Sequence, residues 1–135
     1  MTVAETKEFL RSRGCPEGVV AGGVDGLIEE WERVVGMVEI GYPLGLDDYL
    51  NDMDGRELIA ALMATIARAL TPAQKRRLEA ADVRMRATVK PLGRCLWGER
   101  LAAASRWDAT RNWWYFSRPA KPGPDLAHEL GGGKL

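Results

Sequence analysis

Val24-Asp25-Gly26-Leu27-Ile28-Glu29-Glu30-Trp31-Glu32-Arg33-Val34-Val35-Gly36-Met37-Val38-Glu39-Ile40 decides the fold class. Val24, Leu27, Ile28, Trp31, Val34, Val35 and Val38 recur at spacings of three and four, which lines them along one side of an α-helix. Asp25, Glu29, Glu30, Glu32 and Arg33 take the other sides. Glu29 and Arg33 stand four residues apart, the spacing of a favourable ion pair. Gly41 follows as a left-handed cap residue, so the helix is predicted over 24–40.

Downstream, Tyr42-Pro43-Leu44-Gly45 reads as a turn, and Leu46 to Asp52 could form one short helical turn. Asp54, with Glu57 three residues on, has the form of a capping box that starts a second long helix over about 55–70. Its apolar stripe is Leu58, Ile59, Leu62, Met63, Ile66 and Leu70. Thr71-Pro72-Ala73-Gln74 starts a third: cap residue, proline at the first helical position, glutamine at the third. Val83, Met85, Ala87 and Val89 alternate with polar residues as a strand would, but the composition and the capped start favour helix, closed by Pro91.

Upstream, Thr2-Val3-Ala4-Glu5 forms another capping-box pattern for a short helix to about Ser12, stopped by Gly14-Cys15-Pro16. Residues 17–23 stay open between helix and loop, because Pro16 favours a helix start and Gly18, Gly22 and Gly23 oppose it. From Leu92 the texture changes. Helical periodicity fades, and Trp97, Trp107, Trp113, Trp114, Tyr115 and Phe116 interleave with arginines. This stretch reads as extended or loop, with a strand expected at Asn112 to Ser117. The expected architecture is an all-α, small helical bundle with an extended aromatic-rich C-terminal segment. A single domain over 1–125 is followed by a flexible tail over 126–135, in which Asp125 to Leu130 could form one helical turn before Gly131-Gly132-Gly133.

The length of 135 residues and a 46% hydrophobic content suit one globular core. No apolar run is long enough for a transmembrane helix, and Met1 to Leu10 lacks a signal core, so the expected compartment is the cytoplasm. The zero net charge conceals a polarity. Residues 1–60 hold 13 acidic and 5 basic side chains, and residues 61–135 hold 6 and 14. Either the halves neutralise each other on folding, or two faces of opposite sign meet different partners.

Few chemistries fit the residues. The Asp47, Asp48, Asn51, Asp52, Asp54 run followed by Gly55 has the look of a calcium loop, but the first and twelfth ligands would be Leu50 and Ala61, which cannot ligate. Zinc ligands in paired spacing, a phosphate-binding loop, a dinucleotide fingerprint and a nucleophile elbow are missing from the sequence, so no metal and no cofactor are expected. Cys15, Cys95 and the single His128 lie far apart in the chain and suggest no thiol–base pair.

Two stretches stand out as contact surfaces. Asp47, Asp48 and Asp52 could form an acidic docking segment for a basic partner, against the simpler role of favouring a helix N-terminus. Trp107, Arg111, Trp113, Trp114 and Tyr115 could form an aromatic and arginine-rich interface, against the simpler role of a lid on the core. The expected function is a non-catalytic, protein-binding domain of adaptor, inhibitor or immunity type. A nucleic-acid-binding module using the aromatic stretch is the alternative. An enzyme with a carboxylate or thiol site is the third reading.

Gly41-Tyr42-Pro43-Leu44-Gly45-Leu46-Asp47-Asp48-Tyr49-Leu50-Asn51-Asp52, with Cys95-Leu96-Trp97-Gly98 and Asn112-Trp113-Trp114-Tyr115-Phe116, resembles a group of small uncharacterised bacterial proteins over roughly residues 24–125. The resemblance implies a compact bacterial domain and carries no activity and no site residues.

Overall fold

The computed structural model describes residues 2–132. Among them the chain forms six α-helices and one small sheet, in the order α1 (Thr2–Ser12), α2 (Glu17–Ile40), α3 (Leu46–Thr65), α4 (Pro72–Thr88), β1 (Val89–Pro91), α5 (Glu99–Ser105), a 3-10 helix (Trp113–Phe116), β2 (Ser117–Pro119) and α6 (Pro124–Gly132). The helical bundle expected from periodicity is the fold.

The central helix is α2, which packs against α1, α3 and α4. It buries Ile28, Trp31, Val34, Val35 and Val38 of the expected stripe, while Val24 and Leu27 are half-buried at its edge. It begins seven residues earlier than the periodic stretch, and the helix is continuous except for a kink at Gly23 (φ 60°, ψ −154°). That conformation is close to forbidden for a residue with a Cβ, so glycine allows the two helical pieces to join. Arg33 pairs with Glu30, three residues back, rather than with Glu29. Gly41 ends the helix at φ 138°, with its N–H bonded to the Met37 carbonyl.

Helix α4 runs parallel to α2, and ion pairs recur two turns apart along both: Arg77 Nη2 lies 2.7 Å from Glu32 Oε1, and Arg84 Nη2 lies 2.6 Å from Glu39 Oε1. The acidic first half of the chain and the basic second half therefore meet along this seam. Solvent screens exposed pairs of this kind, so they orient the helices more than they stabilise them. The start of α4 is as expected. Gln74 N–H donates to the Thr71 hydroxyl at 3.1 Å, and the Thr71 N–H donates to Gln74 Oε1 at 2.8 Å.

A polar knot ties three helices and the aromatic segment together. Arg56 of α3 donates to Asp82 of α4 through Nε (3.0 Å) and Nη2 (2.8 Å). Trp31 Nε1 of α2 donates to the same Asp82 Oδ1 at 3.0 Å. The Arg56 guanidinium lies over the Trp114 ring, 4.3 Å from its centroid.

Four expectations are corrected. First, α3 starts at Leu46, not near Asp54, and ends at Thr65. Its first amide is capped from a distance: Leu46 N–H donates to Glu129 Oε1 of α6 at 2.9 Å. Second, the strand expected at Asn112 to Ser117 is the 3-10 helix Trp113–Phe116, and strand β2 follows it, pairing antiparallel with β1 as Val89↔Pro119, Lys90↔Arg118 and Pro91↔Ser117. Four consecutive aromatics gain more by turning their rings to the core than by alternating along a ladder. Third, α5 occupies part of the stretch read as extended. Fourth, the tail expected from residue 126 is helical to Gly132, with Leu126 and Leu130 buried in the core. Gly133 and the Thr2 side-chain cap lie outside the described residues. The turn into α6 depends on Gly123, where a Cβ would stand 2.4 Å from the Tyr42 carbonyl oxygen.

Candidate functional site

A groove of about 730 Å³ opens between α2, α3 and the segment around α5. One wall is Val19, Leu27, Glu30, Trp31 and Val34 of α2, with the Arg13–Pro16 turn at its end. The floor is one side of α3, where Asn51, Asp54, Gly55 and Leu58 follow helical spacing and Asp52 and Glu57 flank them. Trp97, Leu101, Trp107 and Tyr115 form the opposite wall.

Asp54 fixes that opposite wall to α3. Its Oδ1 accepts from Trp97 Nε1 at 2.9 Å and from the Tyr115 hydroxyl at 2.6 Å. The Trp107 ring packs on Tyr115 with centroids 4.2 Å apart. One turn on, Glu57 Oε1 accepts from Asn112 Nδ2 at 2.9 Å. At the far end Asp52 Oδ2 accepts from the Tyr42 hydroxyl at 2.6 Å. Burial pushes both phenols well above the usual tyrosine range, and the carboxylates facing them push in the same direction, so both stay protonated donors. Burial also raises the Asp52 carboxyl. The Tyr42 hydrogen bond and Arg33 oppose that rise, while Glu30 and Asp48 add to it.

Four carboxylates thus line the groove, and Arg13 is the one guanidinium among the lining residues. Asp54 Oδ2 and Glu57 Oε2 accept no hydrogen bond among the described residues. Apolar surface lies beside them: Val19, Trp97 and Leu101 are three of the chain's exposed large hydrophobic side chains, with Trp97 39% exposed. Isolated exposed apolar residues are ordinary, whereas several in one concave site mark a contact surface.

The expected site residues divide. Asp52, Trp107 and Tyr115 line the groove. Asp47 and Asp48 sit exposed in the first turn of α3, outside the groove walls, with Asp48 one turn before Asp52. Arg111 is exposed but tied back, its Nε 2.6 Å from Asp108 Oδ2 and its Nη2 donating to the Arg106 carbonyl. Trp113, Trp114 and the ring of Tyr115 are buried. They are 8%, 2% and 1% exposed, and Arg86, Arg56 and Trp107 cover their rings in turn. The aromatic segment is therefore chiefly the lid, and a base-stacking platform built from these three rings is closed.

Glu30, Glu57 and Leu101 carry no site signal in the sequence, while Asp54 and Trp97 stand out there only as members of the acidic and aromatic stretches. Asp54 and Glu57 carry the capping-box signature, which masks a different role. Cys15 also lines the groove, but no histidine does, and Cys95 is buried with its thiol raised, chiefly by desolvation. Among the described residues no three His, Cys, Asp or Glu side chains converge closely enough to hold a metal ion, and no helix is long and apolar enough to cross a membrane. No protein-family model, curated protein or solved structure matches the chain, so the groove's own chemistry is the guide to what it holds.

Proposed function

We propose that the chain is a non-catalytic binding domain, of adaptor, inhibitor or immunity type, that seats a segment of a partner protein in the groove between α2, α3 and α5. One observation carries this reading: exposed Trp97, Leu101 and Val19 share one concavity with carboxylates that retain free acceptor oxygens. Aromatic anchors beside a polar rim are the usual composition of a protein-contact hot spot. The volume falls within the roughly 300–1,000 Å³ in which pockets enclose a compact ligand, which suits a short segment rather than a flat domain face. The groove's carboxylates would repel phosphates, which weighs against nucleic acid at this site. Cys15 and Cys95 are both free thiols, in keeping with a reducing cytoplasm.

Gly55 supplies the test. A Cβ there meets nothing within 4 Å, and the residue is helical without positive φ, so Gly55→Phe fills the groove without straining the backbone. Affinity purification from the organism that encodes the chain should recover a partner with the wild type and lose it with Gly55→Phe. The same partners recovered by both forms would refute groove binding.

A further inference from the structure

We infer that the groove recognises an arginine side chain, presented by a partner peptide in which apolar residues flank the cation. This rests on the groove being the binding site and names the chemistry that it selects.

The chain shows how it holds its own arginines. The guanidinium of Arg56 lies over Trp114, 4.3 Å from the ring centroid, while its fork grips the Asp82 carboxylate at 3.0 and 2.8 Å. Arg86 lies over Trp113 at the same 4.3 Å. An indole face and a carboxylate acting together suit guanidinium better than ammonium, because the planar cation stacks and forks at once.

At Asp54 and Glu57 the groove has indole and carboxylate with no guanidinium paired to them among the described residues. Asp54 is held between the two aromatic tethers, with Trp97 Nε1 and the Tyr115 hydroxyl on one oxygen. Its other oxygen accepts nothing among the described residues. Glu57 lies one turn away in the same condition, and Trp107 stacks beside them on Tyr115. Arg33, which pairs with Glu30, is not a wall residue, and Arg13 is at the end of the groove with the α1–α2 turn. An entering cation therefore meets uncompensated negative charge. Leu58 on the floor and Leu101 and Val19 on the two walls would take the apolar neighbours of that cation. An acidic or neutral peptide would leave Asp54 and Glu57 desolvated without a partner, which costs affinity.

The test is to pan a random dodecapeptide display library on the folded full chain, with counter-selection on two blocked forms. Gly55→Phe fills the groove. Leu101→Arg, at an exposed position of α5, supplies a guanidinium to the groove from within. Circular dichroism confirms that each is folded. Groove-dependent peptides should be enriched in arginine beside leucine or aromatic residues. Replacing that arginine with citrulline, its neutral isostere, should weaken binding of the synthetic peptide at least about tenfold, and lysine should be intermediate. Asp54→Asn, which keeps the acceptor for Trp97 and Tyr115, should give a similar loss. Groove-dependent peptides without arginine enrichment, or indifferent to citrulline, would overturn the arginine inference and leave groove binding standing. Failure to recover any groove-dependent peptide would overturn both.

Discussion

Arg56 and Asp82 form a two-pronged ion pair at 3.0 and 2.8 Å, with side chains only 9% and 16% exposed, between α3 and α4. Trp31 of α2 donates to the same carboxylate, and Trp114 covers the guanidinium. One contact therefore sets the relation of three helices to the aromatic lid, and with it the shape of the groove that α2 and α3 border.

Arg56→Met should destabilise the fold by about 3 kcal/mol, because it strands the Asp82 carboxylate in a nearly dry site. The double variant Arg56→Met, Asp82→Leu should recover only part of that loss, since an apolar pair replaces the ionic one while the buried Trp31 indole N–H loses its acceptor. Urea denaturation of the wild type, the single variant and the double variant checks this. A single variant within about 0.5 kcal/mol of wild type would show that the pair is not buried in the sense argued.

The glycines of the two long helices should respond in opposite directions. Gly55→Ala in α3 adds a methyl where nothing lies within 4 Å and should raise stability by about 0.5–1 kcal/mol. Gly23→Ala forces a Cβ into φ 60°, ψ −154° and should lower it by about 1–3 kcal/mol. Thermal melts of both variants measure the contrast. Stabilisation by Gly23→Ala would mean that α2 is unkinked in solution.

Asp52 gives a pH dependence with a defined sign. Burial raises its carboxyl, so the folded chain holds this proton more tightly than the unfolded chain does. The cost of ionising it is fully present above its folded pKa, and it disappears as pH falls below the unfolded value of about 3.9. Asp52→Asn keeps an acceptor for Tyr42 and should be at least as stable as wild type at pH 7. Its advantage should shrink toward pH 3 in denaturation curves taken across that range. An Asp52→Asn form less stable at pH 7 would show that attraction to Arg33 outweighs burial.

The two thiols should separate kinetically. Cys15 is half-buried on the groove wall, while Cys95 is 1% exposed and its thiol is pushed up by burial. A thiol-reactive chromogen at pH 8 should react quickly with one equivalent, lost in Cys15→Ser, and reach the second only on unfolding. Two fast thiols in the native protein would contradict the packing around Cys95.

Helices α2 and α4 were legible because their signals are local: a stripe at three and four in one, and Thr71, Pro72 and Gln74 in the other. The start of α3 was not, because Gly45 has no capping side chain and the cap is Glu129, 83 residues away. The Asp54 and Glu57 pair then supplied a false start inside a helix already under way. The tetrad Trp113 to Phe116 has no polar alternation to betray its turn. Charge marks Asp52 in the sequence, but it marks Asp47 and Asp48 equally, and only the fold separates them. The groove itself is long-range, since Trp97 reaches Asp54 across 43 positions and Tyr115 across 61.

Isotope-edited chemical-shift mapping of the chain with an arginine-bearing groove peptide is the most direct measurement. The indole N–H signals of Trp97 and Trp107 and the amides from Asp54 to Leu58 should move together, while those of buried Trp113 and Trp114 stay in place. Shifts confined to the α4 surface or to the arginines around Arg111, with the Trp97 and Asp54 signals unmoved, would contradict the groove as the binding site.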